Sequence, residues 1–255
     1  QPARKQFQKS QPMQTVICTK WGTKYGIDYL NRLASMVRRN TTRDTRLVCF
    51  TDDAEGADPW VTIAPLPPIN LPEHLSATPW RKLSLWQYPL NDLEGDVLFF
   101  DLDVVITGSI DDFFDYMPGR YCVAQNWTQL NQRVGNTSVY RFPAGKMAYI
   151  YDDFNANPEA ILSRYRIEQQ YISDATDEQI FLPREWCLSF KHSLLPSWPM
   201  RFFVPPPLPA GTKVVAFHGK PDPHEARDGI WPVNAAWKKL YKHVRPTPWI
   251  AEHWR

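Results

Sequence analysis

Apolar and polar positions follow two rhythms along this chain. "MQTVICTKW", Met13 to Trp21, has the apolar content and length of a strand. "GIDYLNRLASMVRRN" then sets Tyr29, Leu30, Leu33, Met36 and Val37 at helical spacing, with Arg38 and Arg39 near the end where a helix dipole favours cations. "RLVCFTDD" (Arg46 to Asp53) and "WVTIAPL" (Trp60 to Leu66) predict a second and a third strand. This β-α-β-β opening suggests a parallel α/β sheet.

Further on, the pattern predicts a helix from about Pro79 to Tyr88, followed by a strand in "DVLFFDLDVVITG", Asp96 to Gly108. "IDDFFDYM" reads as a short helical turn, and "YCVAQN" and "TSVYRF" as strands. "AGKMAYIYDDFNAN" and "NPEAILSRYRIEQQY" read as helices, the second started by Asn157 and Pro158. "DEQIFLPREW" predicts a short helix, "TKVVAFHGKP" (Thr212 to Pro221) a strand ending in a polar loop, and "NAAWKKLYKHV" a late helix. The 24 prolines concentrate in "PLPPINLP", "LPSWPM" and "VPPPLP", which read as rigid loops. No repeat or linker divides 13–255, which therefore reads as one domain behind a polar, basic leader over 1–12.

Composition narrows the classes. With 43% hydrophobic and 22% charged residues the chain suits a folded protein, and a formal net charge of +2 argues against a general nucleic-acid binder. Cys18, Cys49, Cys122 and Cys187 are widely spaced with no C-x-x-C pair. They read as reduced, mostly buried thiols, which favours a cytoplasmic setting and makes glycosylation of the sequons at Asn40, Asn126 and Asn136 improbable. No run of 18 apolar residues suggests a transmembrane helix. The tail "KKLYKHVRPTPWIAEHWR" reads first as a docked terminal helix. Its bases with Trp249 and Trp254 also leave open a peripheral contact with the inner face of a membrane.

The candidate chemistry starts at Asp101 and Asp103. Side chains at i and i+2 of an extended segment share a face, so these carboxylates can converge. They stand where the apolar run Val97 to Phe100 stops, and ligands of open α/β sheets bind beyond the carboxyl ends of strands. Two adjacent carboxylates repel and raise each other's pKa unless a cation lies between them. The plainer alternative is a turn cap and an ion pair. Near the end of a later apolar strand stand His218 and Lys220, again at i and i+2, with Gly219 between them. Imidazole suits Mn²⁺, while Mg²⁺ prefers oxygen, and Lys220 offers a positive charge for phosphate.

With "FFDLDVVITGSIDDFF" and "FHGKP" in view, the chain resembles GT-A glycosyltransferases, most closely the family 8 type that uses nucleotide-diphospho-sugars. The resemblance spans Met13 to about Pro223 at the level of motifs, with His218 and Lys220 closer together than in the family pattern. It implies a Rossmann-like α/β fold with a mixed, mostly parallel central sheet flanked by helices. It implies a metal held by Asp101, Asp103 and His218, Mn²⁺ with Mg²⁺ as the alternative, and a diphosphate contact from Lys220. The end of the first strand, "CTKWGTKYG", is where the family holds the nucleotide base, which gives Thr19, Lys20, Trp21 and Tyr25. Thr51 and Asp52 end the second strand at the same edge, and Leu102 is counted with the donor contacts. "WRKLSLWQYPL" supplies a basic residue facing the donor, Lys82 or Arg81; "GNTSVYRFPAG" supplies Asn136; "DEQIFL" supplies Asp177 or Glu178 with Gln179 near the reacting sugar. Each has a plain alternative: core packing for Trp21 and Tyr25, a solvated helix face for Lys82, a turn cap for Asn136, a helix N-cap for Asp177.

The resemblance further implies an enzyme, a hexosyltransferase, that moves a sugar from a UDP-sugar to a glycan, lipopolysaccharide or other sugar acceptor with retention of configuration. A haloacid-dehalogenase-like phosphatase with Asp101 as nucleophile is the main rival, since "FFDLDVV" fits that motif too. A sugar nucleotidyltransferase lacks its Gly-rich first loop here. A sugar-nucleotide-binding protein without turnover is the non-enzymatic alternative.

Overall fold

A computed structural model of the chain describes residues 13–255, so the leader expected over 1–12 lies outside the described residues. β1 (Gln14–Lys20) is buried along its whole length and pairs in parallel with β2 (Thr45–Thr51) on one side and β4 (Asp96–Phe100) on the other. The continuous apolar runs seen in the sequence are what a parallel strand covered on both faces requires. β3 (Thr62–Pro65) extends the parallel edge, and β6 (Cys122–Gln125), β7 (Gly135–Pro143) and β8 (Ile180–Phe181) extend the other. The result is a seven-stranded sheet in the order β3-β2-β1-β4-β7-β6-β8, with β7 antiparallel to both neighbours. This is the mixed, mostly parallel α/β sheet expected.

Helix α1 (Ile27–Arg39) lays Tyr29, Leu30, Leu33, Ala34, Met36 and Val37 on one face of the sheet, each fully or nearly removed from water. Burying each of the larger side chains contributes roughly 1.5–3 kcal/mol. The opposite face is aromatic: Trp86 stacks on Tyr140 (centroids 5.2 Å, planes 7° apart), and Phe99 on Tyr140 at 4.7 Å.

β4 ends at Phe100, and the chain leaves the sheet through Asp101-Leu102-Asp103. It enters β5 (Val104–Ile106), which belongs to a second sheet, β5-β10-β9, with β9 at Cys187–Ser189 and β10 at Val214–Ala216. β10 runs antiparallel to β5 with Ala216 opposite Val104. The chain therefore leaves β10, toward His218, beside the point where Asp103 enters β5. The two aspartates lie at the seam between the sheets, not inside one strand.

Helix α2 (Asp111–Asp115) and the turn after it are locked by Arg141, a fully buried β7 guanidinium. It donates to the carbonyls of Phe113 (2.5 Å), Phe114 (3.3 Å), Tyr116 (2.5 Å), Met117 and Arg120 (3.2 Å).

Several expected elements differ. The segment after Pro79 is a 3-10 run, Pro79–Trp86. "NPEAILSRYRIEQQY" is broken at 165–167 into α4 (Pro158–Arg164) and α5 (Glu168–Ala175), next to α3 (Tyr149–Ala156). Asn157 does cap α4, accepting from the Ala160 N–H (3.3 Å). "DEQIF" is not a helix: the Ile180 N–H donates to Tyr121 O (3.0 Å), making β8 a partner of β6, and Asp177 is no N-cap. "NAAWKKLYKHV" forms only a 3-10 turn, Ala236–Leu240, with Trp237 and Leu240 facing solvent, so an α-helix there would gain little from burial. One helix was not legible as such: α6 (Pro223–Asp228), with a capping box from Asp222 and Glu225 and Gly229 left-handed at its end (φ 74°), whereas α7 (Pro248–His253) is the terminal helix expected in the tail. α7 buries Trp249 and the residue after it, Trp254, against the core, so the docked-tail reading holds for both tryptophans.

Candidate active site

A cavity of about 310 Å³ opens at the carboxyl ends of β1 and β4. One wall is the loop Thr19 to Tyr25, the other Ala77, Pro79 and Lys82, and the floor is Asp101, Leu102 and Asp103. Of the expected donor contacts, Thr19, Lys20, Trp21, Tyr25, Lys82, Leu102 and both aspartates therefore share one site. Asp52 stands behind it: its Oδ2 accepts from the Gly22 N–H (3.1 Å) and fixes the loop. Thr51 and Lys20 brace the neighbouring loop after β2, Lys20 Nζ donating to Asp53 O (3.0 Å) and Thr51 Oγ1 to the same carbonyl (2.8 Å).

Each aspartate has its own partner. Lys82 Nζ lies 2.6 Å from Asp101 Oδ1 and 2.7 Å from Oδ2, and it also donates to Thr137 O (3.4 Å). Burial works against the Lys82 ammonium, but Asp101 and then Glu168 hold its pKa above the ordinary lysine value. Tyr25 donates its phenol to Asp103 Oδ2 (2.5 Å). Burial, and then the charge of Asp101, push the Asp103 pKa up to about 7 against the pull of that hydrogen bond. Tyr25 is in turn raised by burial and by Asp103, so it is a proton donor throughout the physiological range.

Sequence reasoning missed Glu168. It is buried at the start of α5, accepts from Thr137 Oγ1 (2.8 Å), and interacts electrostatically with Lys82 and Asp101. Burial raises its pKa, and Lys82 and Thr137 oppose that. Its successor Gln169 accepts from Asn126 Nδ2 (3.1 Å). An acidic residue followed by Gln was the signal sought at Asp177 to Gln179; "RIEQQY" carries the same pair at a helix start.

The residues chosen instead go elsewhere. Asp177 and Glu178 are exposed, with Glu178 facing Arg120 (3.5 Å) and Lys146 (3.8 Å) around a separate depression. Gln179 is buried, its Nε2 donating to Arg133 O (3.4 Å). Asn136 is a buried β7 residue whose Oδ1 accepts from the Ser138 N–H (3.0 Å). None of the four lines the cavity.

His218 and Lys220 occupy the adjoining rim but do not complete the floor. His218 Nε2 is 2.8 Å from Ser189 Oγ, its carbonyl accepts from Lys191 Nζ (2.9 Å), and its ring lies between those of Trp127 (5.2 Å) and His192 (5.7 Å). Burial, with help from His192 and Lys191, lowers its pKa to about 4, which leaves the imidazole neutral at pH 7. Lys220 Nζ is taken by Asp222 (2.6 Å) and Glu225 (2.7 Å). Lys24, which the sequence reading passed over, lines the cavity, and its charge acts on Asp103.

A divalent cation is what two carboxylates at one cavity floor would hold. The two carboxylates suit one: both face the cavity, and after burial it is the charge of Asp101 that raises the Asp103 pKa, so the two acids are near enough to share a cation. The three-residue set with His218 does not form as arranged. Among the described residues no three His, Cys, Asp or Glu side chains gather to hold a metal ion. The Nδ1 of His218 is nonetheless buried without a partner, and Asp101 is near enough to act on its pKa.

The sequence matches no family model, and a comparison with curated proteins finds no match. The fold has clear solved counterparts. It is similar to galactosyltransferase LgtC, solved in complex with donor and acceptor sugar analogs, with TM-score 0.57 and 13% identity over 82% of this chain and 88% of that one. It is similar to the glycosyltransferase GlyE of Streptococcus pneumoniae TIGR4, with TM-score 0.54 and 12% identity over 82% of this chain and 56% of that one. It is also similar to the bifunctional glycosyltransferase WbbM, with TM-score 0.55 and 11% identity over 94% of this chain and 51% of that one. The chain thus spans about half the length of the latter two. These likenesses establish the fold as that of GT-A glycosyltransferases.

Proposed function

We propose that this chain is a glycosyltransferase that takes a sugar from a nucleotide-diphospho-sugar, UDP-linked, and passes it to a glycan, lipopolysaccharide or other sugar acceptor with retention of configuration. The observation that carries this reading is the single cavity in which the loop after β1 meets the Asp101–Asp103 pair at the edge of a GT-A sheet. Trp21 and Tyr25 offer the base a wall, and Leu102 lies between the two acids. Lys24 offers the diphosphate its positive charge; Lys220 would first have to leave Asp222 and Glu225.

Asp101 and Asp103 would hold a divalent cation, Mn²⁺ or Mg²⁺, with His218 joining them only by giving up Ser189. A cation bound there neutralises the charge that grows on a departing diphosphate. Lys82 fixes Asp101, and Glu168 fixes Lys82 through Thr137 and through its charge. Glu168, buried behind Lys82, takes over from Asp177 and Glu178 as the acid whose charge bears on the site.

The phosphatase alternative has lost its support in the architecture. Its D-x-D strand ordinarily opens the domain, whereas here it follows β1, α1, β2 and β3, and Asp101 is held in an ion pair by Lys82. The deciding experiment measures release of free nucleotide from a panel of nucleotide-sugars with Mn²⁺ present, alongside hydrolysis of p-nitrophenyl phosphate. Turnover of a UDP-sugar supports the proposal. Turnover of p-nitrophenyl phosphate alone, or binding of every nucleotide-sugar without turnover, overturns it.

A further inference from the structure

Two segments far apart in sequence meet on the surface beside the His218 rim. Trp198 Nε1 donates to Leu240 O (2.9 Å), Arg201 donates to Tyr241 O (3.0 Å), and Phe202 stacks on His243 at 4.5 Å. What they present is unusual for a surface. Trp198 and Trp237 are each 62% exposed, Leu240 70% and Phe203 74%. Scattered apolar residues need no explanation, but a joined cluster of large ones marks a contact site.

The two segments that build the cluster carry charge of one sign. No Asp or Glu occurs from Lys191 to Lys220, nor from Ile230 to Ala251. The same stretches carry Arg201, Lys238, Lys239, Lys242 and Arg245, and among the described residues none of these pairs with a carboxylate. The aromatic groups stand on 3-10 turns and proline-rich loops and are largely exposed. Protruding Trp, Phe and Leu within a lysine and arginine field is the composition that seats a protein in a headgroup layer.

We propose that this face, Trp198 to Val204 with Trp237 to Lys242, docks the protein on an anionic phospholipid bilayer. It differs from the membrane contact considered for the C-terminal tail, whose Trp249 and Trp254 are buried in the core. The docking face lies on the His218 side of the molecule: Lys242 is close enough to Lys191 to disfavour its charge, and Lys191 holds the His218 carbonyl (2.9 Å). The inference stands on the patch alone and does not require the transfer reading.

The test is co-sedimentation of the full chain with vesicles of phosphatidylcholine alone or of phosphatidylcholine with phosphatidylglycerol. Binding is expected only to the anionic vesicles, and it should weaken as salt rises. Trp237→Ser with Leu240→Ser is expected to lower the affinity about tenfold. Lys238→Glu with Lys239→Glu and Lys242→Glu is expected to lower it roughly a hundredfold, at about fivefold per lysine. All five side chains lie on the surface segments described, and unchanged thermal melts verify that the variants fold. Absence of binding to the anionic vesicles, equal binding to both vesicle types, or variants that bind like the parent would each overturn the proposal. So would a stable dimer of the parent chain that Trp237→Ser with Leu240→Ser dissolves, since the patch would then be covered by a second copy.

Discussion

Lys82 and Asp101 form an ion pair 2.6 Å long at the floor of the cavity, with the lysine buried and the aspartate open to the site. The pair joins the 3-10 run before β4 to the exit of β4. Removing one member of a buried pair leaves the other charge without compensation, which costs more than the pair itself contributes. Lys82→Met is therefore expected to lower unfolding stability by about 3 kcal/mol. Urea denaturation measures it, and a loss within experimental error of zero would show that water already solvates Asp101.

Tyr25 and a cation compete for the same oxygen. The phenol occupies Asp103 Oδ2 at 2.5 Å, and a hydrogen bond to a charged group contributes about 1.5–3 kcal/mol. Tyr25→Phe is expected to tighten Mn²⁺ binding about tenfold or more. Titration calorimetry with Mn²⁺ reads the change. Weaker binding in the variant would show that the phenol orients Asp103 for the cation and does not displace it.

Glu168 acts through others. It accepts from Thr137 Oγ1, and Lys82 Nζ lies at Thr137 O. Glu168→Gln preserves size and an acceptor oxygen but removes the charge. The expected outcome is a thermal melt close to the parent's and a loss in kcat for UDP-sugar turnover of about a hundredfold, with KM changing less. An equal loss in Glu168→Gln and in a distant surface variant would mark the residue as structural only.

Asp111 provides a pH signature away from the site. Its carboxylate accepts from Thr41 Oγ1 (2.7 Å), Thr42 N–H (3.0 Å) and Thr42 Oγ1 (2.7 Å), tying the loop after α1 to α2. Burial opposes ionisation, but these hydrogen bonds and Arg43 hold the pKa below the ordinary value. A folded pKa below the unfolded one means stability that is present above the unfolded value, about 3.9, and lost as pH falls through the folded one. Asp111→Asn is expected to cost about 1–3 kcal/mol at neutral pH. The gap between variant and parent should close as pH drops below about 4. A gap independent of pH would remove the carboxylate's charge from the explanation.

How much was readable in the sequence differs by feature. The strands of the parallel half announced themselves because burial on both faces demands unbroken apolar runs, as in Val16 to Cys18 and Val97 to Phe100. The floor of the cavity was legible because two acids cannot sit at the end of such a run without a reason. The rest of the site was obscured by tertiary structure. Nothing local tells that Glu168, and not Glu178, turns inward; that depends on the break at 165–167 and on Arg133, in the loop before β7, donating to the carbonyls of Asp177 and Gln179 ahead of the edge strand β8. Lys220 looked free because its two acidic partners, Asp222 and Glu225, belong to an α6 capping arrangement that the expected polar loop did not include. The docking face was missed for a related reason. Trp198 and Leu240 meet only through tertiary structure, and the sequence alone pointed to Trp249 and Trp254.

The most direct measurement is titration calorimetry of UDP into the parent chain and into Asp103→Asn, each with and without Mn²⁺. Asn keeps the volume of Asp103 and abolishes its charge, so the pocket survives while the seat for a cation is lost. The account predicts that the parent binds UDP tightly only with Mn²⁺ and that Asp103→Asn loses this dependence on the ion. Tight binding of UDP by the parent that ignores Mn²⁺, or metal-dependent binding that Asp103→Asn retains in full, would contradict it.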